Sequence, residues 1–417
     1  MLLSRRSFVR TSTVSLGALA ASAGASGANR SQEDPLAGLK SMTEGVEPFA
    51  LSDYEARVEK ARRLMQEAGI DMLYLNGGTS MEYFGGIRWG LSERMFAMLI
   101  PARGEVSYIC PKFEEGRARE QIRLGSDIRT WEEHESPYRA VKTLLADGKI
   151  PSGVIGIEPE VREFVSDGLR RECKPARFVN GESVSQGCRM IKTAEELRCM
   201  ALANDITKKA YEAAFRTLRE GTAPSELSGK IAEAHTRLGA TGGASVSFGP
   251  ASAFPHGSLE PRKLQPGDVV LVDGGCRVNG FRSDVTRTAV FGKAPDKVRE
   301  VWGIVRQAQE AALAAARPGV TCEAVDAAAR KVIVDAGYGP GYRYFTHRVG
   351  HGIGMDGHEY PYLVGGNKLP LQPGMTFSDE PGIYIVGEFG VRIEDDIYIA
   401  EDGAHFFGET VAYLQVL

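Results

Sequence analysis

The spacing of hydrophobic positions in the first half of the chain predicts alternating helices and strands. From Ser52 onward, apolar residues recur four, three, four and three positions apart, as on one face of a helix: Tyr54, Val58, Ala61, Met65 and Ala68. Gly69 is suited to end this helix, and residues 71–75 form an apolar run typical of a strand. Strand and helix patterns alternate from there to about residue 183. The pattern predicts a self-contained α/β domain over residues 49–185.

The second half of the chain repeats one order of elements. Thr193 and Glu196 have the spacing of a capping box, which marks the start of a long helix. Two helical stretches then precede a hairpin at 268–291, and two more precede a hairpin at 375–399. The four helical stretches are 194–218, 224–238, 296–316 and 322–336. This order predicts an α+β domain of two related halves over residues 186–417.

The two halves also share short sequences. Leu-Gln-Pro-Gly stands just before each hairpin, and the two copies are 107 residues apart. The same offset carries Asp273 onto Glu380. A second carboxylate pair, Asp284 and Glu394, is offset by 110 residues, as a loop longer by three residues would produce. The agreement predicts a pseudo-twofold domain to which each half contributes one acidic hairpin.

The first hairpin turns at the Asn-Gly dipeptide 279–280, which favours a two-residue type I′ turn. The register set by that turn pairs Asp273 with Thr286 and Asp284 with Gly275. The two aspartates then lie diagonally on one face, about 7–8 Å apart between Cα atoms. Carboxylates at that separation can bind a cation between them. The flanking residues are β-formers, so both aspartates are expected on rigid strands.

The second hairpin is expected to present Glu380 and Glu394 in the same way, and His351 lies between two glycines that permit a close approach. Four carboxylates and one imidazole form an oxygen-rich donor set, which suits Mn²⁺, Co²⁺ or Zn²⁺ and is costly to bury without cations. The expected metal ligands are Asp273, Asp284, His351, Glu380 and Glu394. Three further carboxylates nearby are interpreted as surface charges: Asp379, Asp395 and Asp396.

Composition argues against several classes of partner. The 417 residues are 43% hydrophobic and 25% charged, with a net charge of −4. This balance gives no reason to expect binding to nucleic acid or to an anionic membrane surface. The six cysteines form no CxxC pair, so they predict neither a zinc knuckle nor a disulfide framework. Pairing of Cys188 with Cys199 stays open, with buried thiols as the preferred interpretation.

The beginning of the chain has the three regions of an export signal. A basic start (SRRSFVR) precedes an apolar run and an Ala-Ser-Ala cleavage pattern. The apolar run is too short to cross a bilayer. The Arg5-Arg6 pair resembles a twin-arginine signal. We therefore expect a signal peptide over residues 1–30, a disordered spacer over 31–48, a periplasmic or secreted mature protein, and no stable insertion in a membrane.

Four segments carry a family resemblance: VLVDGGCRVNGFRSDVTRT, HRVGHGIGMDGHE, SDEPGIY and GVRIEDD. They closely resemble the signatures of the creatinase, aminopeptidase P and prolidase family of pita-bread metallopeptidases. The resemblance is close over residues 190–417 and looser over 50–185. It implies a pita-bread catalytic domain preceded by the smaller α/β domain. It also implies two divalent metal ions bridged by a hydroxide on the five ligands, with Mn²⁺ preferred over Zn²⁺ or Co²⁺.

The resemblance further implies roles at the reaction centre. The hydroxide attacks the carbonyl carbon of an Xaa-Pro bond, and Glu380 relays its proton. His256 and His358 stabilise the developing oxyanion and help to protonate the leaving nitrogen. The residues implied in substrate binding are His347, Tyr384, Arg392 and Tyr362. Of these, His347 has a purely structural role as its alternative.

Several activities fit this resemblance. Some prolidases carry an arginine where this chain has Tyr362, and that arginine holds the carboxylate of a dipeptide. The tyrosine therefore favours an Xaa-Pro aminopeptidase, with an Xaa-Pro dipeptidase as the alternative. More distant alternatives are a methionine aminopeptidase, a lyase on the same fold, and a peptide-binding relative without activity. Proline-containing peptides are the expected partners, and the resemblance implies a homodimer or a higher homo-oligomer.

Overall fold

The computed structural model describes residues 34–260 and 262–417. The expected signal peptide, residues 1–30, lies outside this part of the chain. Within it, no helix is both long enough and apolar enough to cross a membrane. The described chain forms a smaller domain on a six-stranded sheet and a larger domain on two five-stranded sheets, which confirms the predicted two-domain α+β architecture.

The segment 34–48 differs from the expected disordered spacer. It contains no helix or strand, yet Leu36 is fully buried. The backbone N–H of Met42 donates to the carbonyl of Leu238 at 2.9 Å, and the Thr43 hydroxyl donates to the carbonyl of Gly239 at 3.0 Å. Apolar burial and these bonds hold the segment against the larger domain, so the spacer prediction is corrected for its described part.

The smaller domain has one sheet with strand order β4-β3-β2-β1-β5-β6. Its strands are β1 (Met72–Asn76), β2 (Ala97–Pro101), β3 (Ser107–Pro111), β4 (Asp127–Trp131), β5 (Val154–Ile157) and β6 (Arg177–Asn180). Its helices are α1 (Leu51–Ala68), α2 (Thr79–Gly85), α3 (Glu115–Gln121), α4 (Pro137–Asp147), α5 (Glu163–Glu172) and α6 (Glu182–Met190). Alternate side chains of β1 enter two separate apolar clusters, because both faces of the sheet are covered by helices.

The larger domain repeats a pair of helices and a sheet. Its helices are α7 (Ala194–Phe215), α8 (Pro224–Arg237), α9 (Asp296–Ala315) and α10 (Cys322–Asp335). The first half has β7 (Thr241–Phe248), β8 (Val269–Val278), β9 (Phe281–Arg282) and β10 (Val285–Val290). The second half has β11 (Gly350–Gly352), β12 (Glu359–Leu363), β13 (Thr376–Asp379), β14 (Gly382–Ile385), β15 (Phe389–Arg392), β16 (Asp395–Ala400) and β17 (Gly403–Phe406); the short β18 (Gln415–Val416) joins the sheet of the first half.

Glu196 ties the two domains together at the start of α7. Its side chain accepts from the backbone N–H of Thr193, while the Thr193 hydroxyl accepts from the Glu196 N–H, so the predicted capping box is present. The same carboxylate forms an ion pair with Arg57 of α1 at 2.8 Å, and both side chains are buried. One residue thus starts the first helix of the larger domain and holds the smaller domain against it.

Candidate metal centre and its two clefts

The first acidic hairpin has the predicted register. Asp273 on β8 lies opposite Thr286 on β10, and the turn residues 279 and 280 both have positive φ, 47° and 88°. Asp284, however, lies in a two-residue break between β9 and β10 rather than on a strand. Its backbone N–H donates at 2.9 Å to the carboxylate of Asp396, which belongs to the other half of the domain.

The second hairpin is built differently from the first, which corrects the expectation that both present their carboxylates alike. The register of its paired strands sets Glu380 opposite Glu394 rather than diagonal to it. The hairpin opens at these two residues, because their backbone N–H groups bond to residues outside the hairpin. Glu380 donates to the carbonyl of Val349 at 2.8 Å, and Glu394 donates to that of Thr286 at 3.2 Å.

His351 on β11 is held with one ring nitrogen toward the carboxylates. Its Nδ1 lies 3.1 Å from the carbonyl of Gly352, which fixes the ring and leaves Nε2 free. Nε2 lies 3.2 Å from a carboxylate oxygen of Glu380. The backbone N–H of His351 donates to the hydroxyl of Ser378 at 3.0 Å. Only 2% of the side chain is exposed, so the imidazole points into the cluster and away from solvent.

The five predicted ligands converge as two overlapping sets. Donor atoms of Asp273, Asp284 and Glu394 lie within 4.8 Å of one another, and so do those of His351, Glu380 and Glu394. Glu394 belongs to both sets. A third set of the same size joins Asp284 and His351 with His358, whose ring stacks on that of His351 at a centroid distance of 3.8 Å. The geometry therefore provides two adjoining donor sets with one carboxylate between them.

The carboxylates of this cluster lie close enough to repel one another, and this repulsion changes their pKa values. Burial, together with the neighbouring carboxylates, raises the pKa of Asp284 and of Glu394 well above their usual range. Burial also opposes ionisation of Glu380, but the adjacent His351 outweighs it and holds the pKa of Glu380 at about 2. The same contact raises the pKa of His351 to about 9 against the effect of burial. Cations bound among these carboxylates would relieve their mutual repulsion.

Arg392 supplies part of that positive charge and positions a ligand. Its guanidinium donates to Asp273 at 2.6 Å, to the Thr286 hydroxyl at 3.0 Å and to the Tyr384 hydroxyl at 3.0 Å. A further bond goes to the carbonyl of Pro255 at 3.1 Å. Arg392 is 3% exposed, so its donors are already directed to the protein around the metal centre.

Three carboxylates interpreted as surface charges are fully buried, and that interpretation is wrong: Asp379, Asp395 and Asp396. Asp395 accepts from the guanidinium of Arg287 at 2.6 Å, and Asp396 accepts from the amide of Asn204 at 2.9 Å. Asp396 also holds the backbone of Asp284. Arg287 and Asn204 each lie more than a hundred residues from the carboxylate that they bond to, so the local sequence pattern gave no signal of this burial.

The three other histidines predicted at the site occupy different environments. His347 is held at both ring nitrogens, by the hydroxyl of Tyr384 and by the carbonyl of Arg348, each at 2.8 Å. His256 is exposed and hydrogen-bonds to no described side chain or backbone group. Burial and the neighbouring His351 lower the pKa of His358 to about 4, so its ring is neutral near pH 7.

Two clefts meet at Asp273 and Asp284. The first, which we call the histidine cleft, has a volume of about 750 Å³ and is lined by His256, His347, His358, Arg348 and the metal-centre residues, with Phe254, Tyr342 and Val364 as its apolar part. The second, which we call the glycine cleft, has a volume of about 670 Å³ and is lined by Gly242, Gly243, Gly274, Gly275 and Gly357, together with Arg277 and Arg282. Substrate can therefore approach the centre from two sides.

Tyr362 is not part of either cleft wall. It pairs with His351 across β11 and β12 and lines a small cavity beside Glu359. The guanidinium of Arg348 covers its ring at 4.2 Å from the ring centroid. Arg348 itself lines the histidine cleft and was missed from the sequence, because nothing in the pattern HRVGHG distinguishes it from a surface arginine.

Comparison with known proteins agrees with this geometry. Residues 198–401 match Metallopeptidase family M24, and residues 57–191 match the Creatinase/Prolidase N-terminal domain. The Xaa-Pro dipeptidase of Lactobacillus helveticus is 33% identical over 369 residues, which are 86% of this chain and 98% of the relative. The chain belongs to metallopeptidase family M24. The probable dipeptidase PepE of Mycobacterium tuberculosis is 35% identical to this M24 enzyme, over 86% of the chain and 96% of the relative.

A solved structure shows the same likeness. The crystal structure of dipeptidase PepE from Mycobacterium ulcerans superposes on this M24 enzyme with a TM-score of 0.82 and 34% identity, covering 89% of this chain and 99% of the other. M24 enzymes depend on two metal ions. The donor set here fits that requirement, because four buried or half-buried carboxylates repel one another and one imidazole turns its free nitrogen toward them.

Proposed function

We propose that this M24 metallopeptidase uses two divalent cations to hydrolyse the Xaa-Pro bond, and that a dipeptide is its preferred substrate. The observation that carries the proposal is the convergence of five donor side chains, as two sets sharing Glu394, where two clefts meet. A peptide bond at that point extends one residue into each cleft. The name of the Lactobacillus helveticus relative, an Xaa-Pro dipeptidase, supports the choice of bond.

Each cation is assigned to one of the two donor sets. Asp273, Asp284 and Glu394 hold one, and His351, Glu380 and Glu394 hold the other. When bound, two such cations lower the pKa of a shared water and supply a nucleophile near neutral pH. The carboxylate-rich set suits Mn²⁺, which we propose as the native metal, with Zn²⁺ and Co²⁺ as alternatives.

We assign proton transfer to residues that line the histidine cleft. Glu380 is 14% exposed and belongs to the donor set that shares Glu394 with the other, so it can take a proton from the attacking water and pass it to the leaving nitrogen. His256 and His358 line the same cleft, and each has a ring nitrogen without a described partner. These nitrogens are placed to donate to the oxyanion that develops on the carbonyl.

The proline ring is assigned to the histidine cleft. Its apolar lining, Phe254, Tyr342 and Val364, suits a ring that carries no N–H donor. His347 shares that lining, but both of its ring nitrogens are already bonded. We therefore assign His347, with Tyr384, to shaping the pocket rather than to proton transfer.

The preference for an aminopeptidase, drawn from Tyr362, is corrected in favour of a dipeptidase. Relatives such as the Lactobacillus helveticus protein and the two PepE proteins bear dipeptidase names. Tyr362 does not line the histidine cleft, and the donors of Arg392 are already used, so neither is suited to hold a substrate carboxylate. Arg348 is suited, because it lines the cleft and has no carboxylate partner among the described residues.

The test compares substrate lengths on enzyme of known metal content. The purified protein is stripped with a chelator, reloaded with Mn²⁺, Co²⁺ or Zn²⁺, and assayed with Ala-Pro, Ala-Pro-Ala and Ala-Ala. We expect about two metal ions per chain at full activity and a kcat/KM for Ala-Pro at least about tenfold above that for Ala-Pro-Ala. Equal or faster cleavage of the tripeptide favours the aminopeptidase, and activity that survives complete metal removal contradicts the mechanism.

Export and assembly are further parts of the proposal. The twin-arginine pattern supports export of the folded protein to the periplasm or medium, with a mature chain that begins near Gly24 or Asn29. N-terminal sequencing of protein from native cells tests this, and a chain that retains Met1 contradicts it. The family resemblance supports a homodimer or higher homo-oligomer, which light scattering measures directly.

A further inference from the structure

The glycine cleft adjoins the histidine cleft at the metal centre. Both clefts are bounded by Asp273 and Asp284, so a peptide bond held over these carboxylates has one side in each. The proposed function assigns proline to the histidine cleft, so the residue before proline enters the glycine cleft. The inference below rests on that proposed function and concerns the identity of this first residue.

Two glycines leave part of the cleft lining without side chains. At Gly243 and Gly357 a Cβ atom would meet no other atom within 4 Å, so the space beside these residues is open. At Gly275 a Cβ atom would stand 1.9 Å from the carbonyl oxygen of Ser283, because the backbone of Ser283 already occupies that place. The side chain of the first substrate residue can therefore extend along the hairpin from the metal centre toward the turn.

Two arginines stand at the end of that path. Arg277 on β8 and Arg282 on β9 lie directly opposite each other in the antiparallel pair, and both line the glycine cleft. Like charges in directly opposite positions destabilise a sheet unless an anion lies between them. Within the described residues, the only side-chain bond of Arg282 goes to the carbonyl of Met355 at 3.2 Å, and the Arg277 guanidinium has no partner.

The spacing matches an acidic side chain. Arg282 is two residues from Asp284 in the chain, so their Cα atoms are at most about 7 Å apart. The cleft is lined by carboxylates at the metal centre and by guanidinium groups at the other end. That order of charge complements a substrate residue whose α-amino group lies near the carboxylates and whose own carboxylate lies farther out. Guanidinium pairs bind carboxylates through charge-assisted bonds.

We infer that Arg277 and Arg282 form a subsite for an acidic first residue, so that Asp-Pro and Glu-Pro are better substrates than neutral peptides of the same shape. The comparison of Glu-Pro with Gln-Pro isolates the charge, because the two side chains are nearly isosteric. A charge-assisted bond in place of a neutral one corresponds to about tenfold in kcat/KM.

The experiment measures the ratio of kcat/KM for Glu-Pro to that for Gln-Pro on the metal-reconstituted enzyme. We expect a ratio of about ten or more in the wild type, falling toward one in Arg277→Gln and Arg282→Gln. Arg282→Lys should keep part of the preference, since it retains the charge. Arg299→Gln is the matched control, because it removes the same charge from α9, which lines neither cleft.

Each outcome bears on the inference. A wild-type ratio near one, or a ratio that both glutamine variants leave unchanged, overturns it while Xaa-Pro hydrolysis stands. A ratio that Arg299→Gln lowers equally shows an effect of overall charge and also overturns the subsite. Absence of hydrolysis of any Xaa-Pro peptide overturns the proposed function itself, and the inference with it. Circular dichroism of each variant checks that folding is unchanged.

Discussion

The two acidic hairpins of the larger domain supply the same kind of ligand from different surroundings. In the first, Asp273 and Asp284 keep 27% and 21% of their side chains exposed. In the second, Glu380 and Glu394 keep 14% and 2%. The first hairpin bounds both clefts, whereas the second bounds the histidine cleft alone. We infer that the first hairpin is the more exposed to substrate, and that the second contributes more to metal binding through the shared Glu394.

Each hairpin also holds a ligand of the other. Asp396 of the second hairpin accepts from the backbone of Asp284, and the carbonyl of Thr286 in the first accepts from the backbone of Glu394. These bonds cross the pseudo-twofold interface. The donors of one set, Asp273, Asp284 and Glu394, come from both halves, whereas those of the other set all come from the second half. A substitution at Glu394 should therefore disturb both sets, while one at Asp273 should disturb mainly its own.

The largest expected effect comes from removing the shared ligand. Glu394→Ala takes a donor from both sets, so we expect bound metal to fall from about two ions per chain to nearly none. Loss of the metal-assisted step should lower kcat/KM by at least about 10³-fold. Asp273→Ala should instead retain about one ion. Metal content by plasma emission spectroscopy, measured with activity on the same samples, makes the comparison.

The matched control for these variants is Asp335→Ala, which removes a carboxylate that is 61% exposed and paired only with Lys331. It should keep both ions and full activity. If Glu394→Ala and Asp273→Ala lose the same amount of metal, the two hairpins are equivalent and the proposed division between them is wrong.

His256→Ala should separate catalysis from metal binding. His256 is exposed in the histidine cleft and belongs to neither donor set, so both ions should remain. Loss of a donor to the oxyanion should lower kcat by about 10²–10³-fold with little change in KM. Parallel loss of metal and activity shows instead that the ring supports the metal centre. The exposed His405→Ala serves as control, since the His405 ring hydrogen-bonds to Asp402 on the surface and lines neither cleft.

Much of the first hairpin could be predicted from the sequence, because its geometry is local. The Asn-Gly turn sets the register, and the structure has that register at Asp273 and Thr286. The second hairpin could not be predicted in the same way. Its opening at Glu380 and Glu394 depends on backbone bonds to Val349, which precedes β11, and to Thr286 on β10.

The buried carboxylates also could not be predicted from the local sequence. Asp395 and Asp396 follow one another in a strand, a pattern that usually indicates a solvated edge. They are buried because Arg287 and Asn204 reach them from distant elements. Leu36 was likewise assigned to a disordered spacer, since the apolar surface that covers it is formed by residues far along the chain. Contacts with residues distant in sequence, rather than local propensity, determine the burial of each of these side chains.

The buried His235 on α8, behind the first hairpin, predicts that the stability of the protein depends on pH. His235 on α8 is fully buried, and burial lowers its pKa to about 4 from an ordinary value of 6.5. A folded-state pKa below the unfolded one means that stability is complete above pH 6.5 and is lost as pH falls toward 4. His235→Gln removes this titration, so the wild type should lose about 2–3 kcal/mol relative to the variant between pH 7 and pH 4.

Urea unfolding of metal-free protein measures this difference, because metal release on acidification would otherwise contribute. His405→Gln, which removes an exposed histidine, is the control and should follow the wild-type curve within about 0.5 kcal/mol. Parallel pH curves for the wild type and His235→Gln mean that the pKa of the buried ring is the same in the folded and unfolded states, which contradicts this prediction.

The smallest expected effect concerns the carboxyl end of the substrate, which the second half of the domain is proposed to hold. Arg348 lies over Tyr362 at the wall of the histidine cleft, whereas the first half places Arg277 and Arg282 in the glycine cleft. Ala-Pro presents a carboxylate to Arg348, and Ala-Pro-amide presents a neutral group of nearly the same shape. Replacing a charge-assisted bond with a neutral one corresponds to about tenfold in specificity.

Arg348→Gln should therefore lower the ratio of kcat/KM for Ala-Pro to that for Ala-Pro-amide by about tenfold, mainly through KM, and Arg348→Lys should restore part of it. Arg343→Gln, an exposed arginine five residues earlier that lines neither cleft, controls for the change in charge. A ratio unchanged in Arg348→Gln means that the carboxylate is bound elsewhere, and the assignment of one arginine-bearing cleft to each half of the domain then fails.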